Sequence, residues 1–135
     1  MAALAAALDL DPRALARPIR SYSKGMGQKL GLLATLLAER PLVILDEPMT
    51  GLDPKARIGL KRQLVRQRER GRAVLMSSHE LADLDELCDR IAALDRGRLG
   101  YLGPPAELNR REQAPTLETA FLTAIEEAEA RAAGA

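Results

Sequence analysis

Apolar and polar residues follow two different periods along this chain, and each change of period marks an element. Leu42-Val43-Ile44-Leu45 is an unbroken apolar run that stops on Asp46-Glu47-Pro48. Four consecutive apolar residues suit a strand buried on both faces, as in a parallel sheet. Ala73-Val74-Leu75-Met76 repeats the pattern and ends in Ser77-Ser78-His79-Glu80. Between the runs, Ala56, Leu60 and Leu64, with Ile58 and Val65 beside them, recur at helical spacing and form an inner face. Lys61, Arg62, Arg66, Arg68 and Arg70 make a solvated outer face. Asp53 is placed to cap this helix, Pro54 to open it and Gly71 to stop it. A strand, helix, strand unit results, and right-handed crossover makes its strands parallel.

The flanking stretches read as helices and one hairpin. Residues 1–10 are rich in Ala and Leu and helical in propensity, Asp11-Pro12 starts a second short helix through Leu15, and Pro18 ends it. Ser23 stands as N-cap of a helix running to about residue 39, with Met26, Leu30, Leu33 and Leu37 as its buried stripe. Leu81, Leu84, Leu87 and Cys88 mark a short amphipathic helix. Residues 90–94 and 98–102 flank Asp95-Arg96-Gly97 as a hairpin, and Pro104-Pro105 introduces a brief helix through Leu108. The last helix covers 116–132, with Leu117, Ala120, Phe121, Ala124 and Ile125 on one face and a C-terminus expected to fray.

Composition narrows the classes. At 135 residues and 47% apolar the chain is one domain or part of one, and it can bury a core. Twenty basic against 19 acidic residues leave a formal charge of +1, which indicates neither a nucleic-acid footprint nor a polyanionic tail. Aromatic residues are 2% and Trp is absent, which argues against a platform for stacking bases. The single Cys88 excludes a disulfide framework and a cysteine metal cluster, and its setting suits a buried helix face. Residues 1–8 are apolar but lack a basic n-region and fall far below the roughly 18 residues of a spanning helix, so the chain is expected to be soluble and cytoplasmic.

Candidate chemistry sits at strand ends. Asp46 and Glu47 fall at the carboxyl end of the first strand, where open α/β sheets place their ligands. Successive strand residues point to opposite sides, so one carboxylate can hold a cation through its water shell while the other faces the reacting centre. Parallel pairing brings His79 to the same sheet edge. Gly25 and Gly27, in the first turn after Ser23, each cost up to about 1 kcal/mol relative to alanine, so something other than helix stability favours them. Free amides at a helix start bind phosphate, and glycine removes the side chains that would obstruct it.

The order of these pieces resembles the second half of the nucleotide-binding domain of ATP-binding-cassette (ABC) proteins. Tyr22-Ser23-Lys24-Gly25-Met26 is similar to the family's signature motif, commonly Leu-Ser-Gly-Gly-Gln, in a Ser-Lys-Gly-Met form associated with exporter ATPases. Leu42 to Glu47 resembles the Walker B motif with its catalytic glutamate, Gly51-Leu52-Asp53 the D-loop, and His79 the switch histidine. The segment from Pro115 to Leu122 resembles the tail of drug and polysaccharide exporter ATPases.

The resemblance implies a partial P-loop NTPase-type α/β domain: a mainly parallel sheet flanked by helices, with a C-terminal hairpin and helix. Residues 1–40 would end a helical subdomain and carry the signature helix, 41–103 would form the catalytic core, and 104–135 the C-terminal helices. Asp46 would orient the shell of Mg2+, Glu47 would act as general base, and His79 would contact the γ-phosphate of ATP. Ser23, Lys24, Gly25, Met26 and Asp53 would bind nucleotide, Ser23 and Gly25 reaching the one held by an opposing subunit. The implied partners are a second ABC ATPase domain and a membrane-spanning permease, with no nucleic acid, and the implied place is the cytoplasmic face of the membrane. None of the ten glycines is followed by lysine, so the phosphate-cradling GxxxxGK[ST] loop is missing. The chain is therefore expected to be a fragment, inactive alone, whose half sheet leaves apolar surface uncovered. A soluble ABC ATPase of translation or DNA repair and a non-catalytic interaction fragment are the alternatives.

Overall fold

The structure, a computed structural model, describes residues 1–133, and the chain divides after Ser78 into two units. The first holds α1 (Ala2–Ala7), α2 (Lys24–Leu37), β1 (Leu42–Leu45), α3 (Pro54–Glu69) and β2 (Ala73–Met76), with short 3-10 helices at Pro12–Ala16 and Ile19–Ser21. Asp11 caps the first of these by accepting from the Arg13 amide at 2.9 Å. β1 and β2 pair in parallel, Leu42 opposite Ala73 through Leu45 opposite Met76, as the crossover rule requires.

The sheet is covered on one face. Val43 and Leu45 are buried, as are Ala56, Leu60 and Leu64 of α3. Leu42, Ile44 and Leu75 are 49%, 63% and 61% exposed. The expectation of a strand buried on both faces is thus corrected: the apolar residues of the second face lie on the surface.

The buried stripe of α2 also differs from expectation. Lys29, Leu32, Leu33 and Leu36 point inward, while Leu37 is exposed. The rotation has an electrostatic cause. The Lys29 ammonium donates to the Asp53 carboxylate at 2.6 Å and to the Asp9 carbonyl oxygen at 3.1 Å, and a buried cation is tolerated only with such partners. On α3, Ile58 turns outward and Gln63 and Gln67 lie inside. Gln67 accepts from the Arg72 guanidinium, which also reaches the Leu36 carbonyl oxygen at 3.2 Å and so joins the ends of α2 and α3.

α1 packs on both α2 and α3. A Cβ at Gly59 would lie 1.6 Å from the Ala7 carbonyl oxygen, so only glycine admits this approach.

The second unit contains α4 (Leu81–Leu87), β3 (Ile91–Asp95), β4 (Arg98–Gly103), α5 (Pro105–Arg111) and α6 (Leu117–Ala133). β3 and β4 form the expected hairpin, but Asp95 pairs with Arg98, leaving a two-residue turn. Arg96 and Gly97 both take positive φ there, the backbone that matches strand twist in such turns. Ile91, Tyr101, Leu108, Leu117 and Ala120 are the core, and half-buried Cys88 packs against it. The Thr116 hydroxyl accepts from the Thr119 amide at 3.2 Å in the first turn of α6. The expected fraying at the extreme C-terminus lies outside the described residues.

Candidate active site

β1 delivers its last residue, Leu45, opposite Met76, so the next residues, Asp46 and Ser77, arrive together. The Ser77 amide donates to the Leu45 carbonyl oxygen at 3.0 Å, extending the ladder by one bond. The Ser77 hydroxyl then donates to Asp46 Oδ1 at 2.5 Å and accepts from the Glu47 amide at 2.8 Å. One serine thus orients the carboxylate of Asp46 and the backbone of Glu47.

Glu47 takes φ +44°, a left-handed conformation that costs a non-glycine residue about 1–3 kcal/mol and recurs at active sites. Strand alternation therefore does not separate the two carboxylates. β1 ends at Leu45, and a backbone reversal at Glu47 sends the chain into the turn Pro48-Met49-Thr50-Gly51. Met49 and Leu52 are buried and anchor that turn. The Thr50 amide donates to the Glu47 carbonyl oxygen at 3.1 Å, and the Thr50 hydroxyl to Glu47 Oε2 at 3.3 Å. Gly51 follows at φ +75°.

Asp53 closes the turn by capping α3, its Oδ1 accepting from the Ala56 amide at 2.9 Å while Oδ2 meets Lys29. The Lys29 hydrogen bond, with the Ala56 amide next, holds the Asp53 carboxyl down to about 2. Asp9 is likewise lowered, first by its hydrogen bond from Lys55, whose ammonium lies at 2.6 Å. Asp53 is thus placed as a cap and ion-pair partner within its own unit.

Ser23 is the N-cap of α2 and accepts from the Met26 amide at 3.2 Å. Ser23 and Lys24 are exposed, and Gly25 and Met26 are half-buried. A Cβ at Gly27 would meet nothing within 4 Å, and one at Gly25 only the Gly51 carbonyl oxygen at 3.9 Å. Packing within the chain therefore does not demand glycine at either position, which fits a surface kept clear for another molecule.

The first unit brings together Asp46, Glu47 and Ser77 at the strand ends, and sets the residues around Ser23 beside the Gly51 turn. His79 follows Ser77 by two residues and is the first residue of the second unit. Ser77, Thr50, Gln28 and Lys29 are the residues sequence reasoning missed. Ser77 was within reach, because it follows β2 as Asp46 follows β1. Among the described residues no three His, Cys, Asp or Glu side chains gather as a metal cage. One exposed carboxylate, steadied by a hydroxyl, suits magnesium, which keeps several waters and takes one or two carboxylates alongside substrate phosphates.

The sequence family described as "AAA domain, putative AbiEii toxin, Type IV TA system" matches residues 9–85. An uncharacterised ABC transporter ATP-binding protein of Synechocystis is 42% identical over 92 residues, 68% of this chain and 26% of that protein. A fluoroquinolones export ATP-binding protein of Mycobacterium tuberculosis is 40% identical over 90 residues, 67% of this chain and 30% of that protein. The chain thus spans 26% and 30% of the lengths of these relatives. A solved structure described as the ATP binding subunit of an ABC transporter superposes with a TM-score of 0.84 at 31% identity, covering 91% of this chain and 52% of that one. A chain in the complex of an archaeal ribosomal stalk protein and ribosome recycling factor superposes with a TM-score of 0.69 at 28% identity, covering 82% of this chain and 22% of that one.

Proposed function

Because the chain belongs to the ATP-binding-cassette family of ATP-binding proteins, we propose that it is the signature and Walker B portion of a transporter's ATPase subunit, working in export. The observation that carries this reading is the pair of carboxylates at the end of β1, Asp46 oriented by Ser77 and Glu47 held in a left-handed turn. ATP with Mg2+ would supply the scissile phosphoanhydride and its counter-charge. Asp46 would orient the cation's water shell, and Glu47 would accept the proton of the attacking water. By the family resemblance, His79 would contact the γ-phosphate. Ser23, Gly25 and the amides of the first turn of α2 reach nucleotide held by a second ATPase domain, as the positive end of a helix favours. Lys24, Met26 and Asp53 flank that contact.

The partners in this reading are that second domain and a membrane-spanning permease. No described helix is long and apolar enough to cross a membrane. The fluoroquinolones-export relative supports the outward direction. The similarity to the recycling-factor complex supports a second reading, a soluble ABC ATPase acting on ribosomes. Co-purification with a permease separates it from co-sedimentation with ribosomes.

The test is Gly25→Asp in a complete ATPase domain carrying this chain. Hydrolysis is expected to be lost while nucleotide binding by the same monomer persists, since the nucleotide served belongs to the other subunit. Loss of ATP binding by the Gly25→Asp monomer would contradict that assignment.

A further inference from the structure

Two consecutive residues of α2 grip the turn that follows the carboxylates. Gln28 Nε2 donates to the Thr50 carbonyl oxygen at 2.5 Å and to the Pro48 carbonyl oxygen at 3.3 Å. Lys29 Nζ holds Asp53 at 2.6 Å. Residues 48, 50 and 53 are thereby tied to the helix whose first turn carries Ser23 and Gly25. The approach is close at Gly51, where a Cβ would lie 3.3 Å from Gln28 Oε1, while a Cβ on Gly25 would make ordinary contact with the Gly51 carbonyl oxygen at 3.9 Å. The same turn returns to Glu47, because the Thr50 amide donates to the Glu47 carbonyl oxygen and the Thr50 hydroxyl to its carboxylate.

We propose that Gln28 is a positioning residue for Glu47: by holding the Pro48 and Thr50 carbonyls it sets the turn from which the Thr50 hydroxyl orients the Glu47 carboxylate. This rests on Glu47 acting as the base. It adds a route by which an event at Ser23 reaches Glu47 of the same chain, since α2 cannot shift without carrying the turn. Residues joined in one hydrogen-bond network couple when deleted. Gln28 suits the task because a neutral amide donates two hydrogen bonds to two carbonyls without bringing a charge beside the carboxylates.

Two measurements test the proposal. In the isolated chain, amide exchange of Thr50 and Leu52 is expected to quicken about tenfold in Gln28→Met, while Leu64 in α3 is unchanged. Unaltered exchange at Thr50 and Leu52 overturns the clamp. In a complete domain that hydrolyses ATP, Gln28→Met is expected to lower kcat about tenfold with KM for ATP within about twofold, and Thr50→Val to do the same. The double variant should lose little more than either single one. Additive losses, or losses carried by KM, overturn the relay, since a merely structural residue would produce them. Thr50→Val leaves the carbonyl that Gln28 holds, so it tests the relay even if Gln28→Met folds poorly. Absence of hydrolysis by the unsubstituted domain defeats the reading of Glu47 as base and the relay with it, while the exchange result still decides the clamp alone.

Discussion

Gly59→Ala should destabilise the first unit, although alanine is the better helix former. A Cβ at this position would stand 1.6 Å from the Ala7 carbonyl oxygen, and 3.0 Å is the shortest separation real Cβ atoms show, so α1 must retreat by about 1.4 Å or detach. The obstruction is backbone and cannot rotate away. Ala5 and Leu8 have no exposed surface and Leu10 is 2% exposed, so the retreat opens a gap beneath well-buried side chains. Overpacking of this kind costs about 1–3 kcal/mol, and losing a leucine's burial adds about 1.5–3 kcal/mol. Helix propensity returns about 1 kcal/mol. A net loss of about 1.5–5 kcal/mol lowers Tm by roughly 5–25 °C. Gly31→Ala is the control, because a Cβ there meets nothing within 4 Å and should raise stability by about 0.5–1 kcal/mol. Thermal and urea melts followed by circular dichroism measure both. Gly59→Ala melting at or above the parent would refute the close packing of α1 on α3.

Acid should loosen the loop after the carboxylates in a defined window. Asp53 titrates at about 2 against an ordinary value of 3.8, so its contribution is complete above about pH 4 and is lost as pH falls through about 2. In Lys29→Met the Asp53 value measured by NMR should rise toward the ordinary one, and no movement would mean Lys29 is not the cause. Ser77→Ala removes both the donor to Asp46 and the acceptor for the Glu47 amide, and should lower kcat of a complete domain about tenfold; full activity would show that neither bond matters. The isolated chain should bind magnesium ATP weakly, since the amides and lysine of a phosphate-cradling loop are not in it, and should self-associate through the open face bearing Leu42, Ile44 and Leu75. Micromolar binding by calorimetry, or a monodisperse monomer with a cooperative melt, would count against these two expectations.

Elements carrying their own punctuation were legible in the sequence. Ser23, Asp53 and Pro54 start helices where their chemistry says they should, Gly97 forces the hairpin turn, and the parallel pairing of residues 42–45 with 73–76 follows from crossover handedness. Side-chain direction was legible only where the apolar pattern was not crossed by a paired charge. Lys29 belongs to the inner stripe because Asp9 and Asp53 await it, and those partners lie 20 and 24 residues away, beyond any local pattern. The carboxylates were found because they end an apolar run. Their arrangement was not, because the left-handed backbone at Glu47 and the hydroxyls of Ser77 and Thr50 are tertiary facts: Ser77 lies 31 residues from Asp46, and nothing local to the Glu47 sequence announces a positive φ.

Size-exclusion chromatography of a complete domain with ATP and Mg2+ separates the roles of Asp46 and Glu47. Glu47→Gln keeps shape and hydrogen bonding but removes the proton acceptor, so turnover should fall by about 10²-fold to 10⁴-fold with nucleotide affinity preserved. On the proposed reading closure needs bound ATP and opening needs hydrolysis, so the nucleotide-bridged dimer should then persist. Asp46→Asn should instead weaken magnesium-dependent binding. An ATP-stabilised dimer is expected for Glu47→Gln and none for Asp46→Asn, and the reverse pattern would mean that the base and the cation's carboxylate have been exchanged.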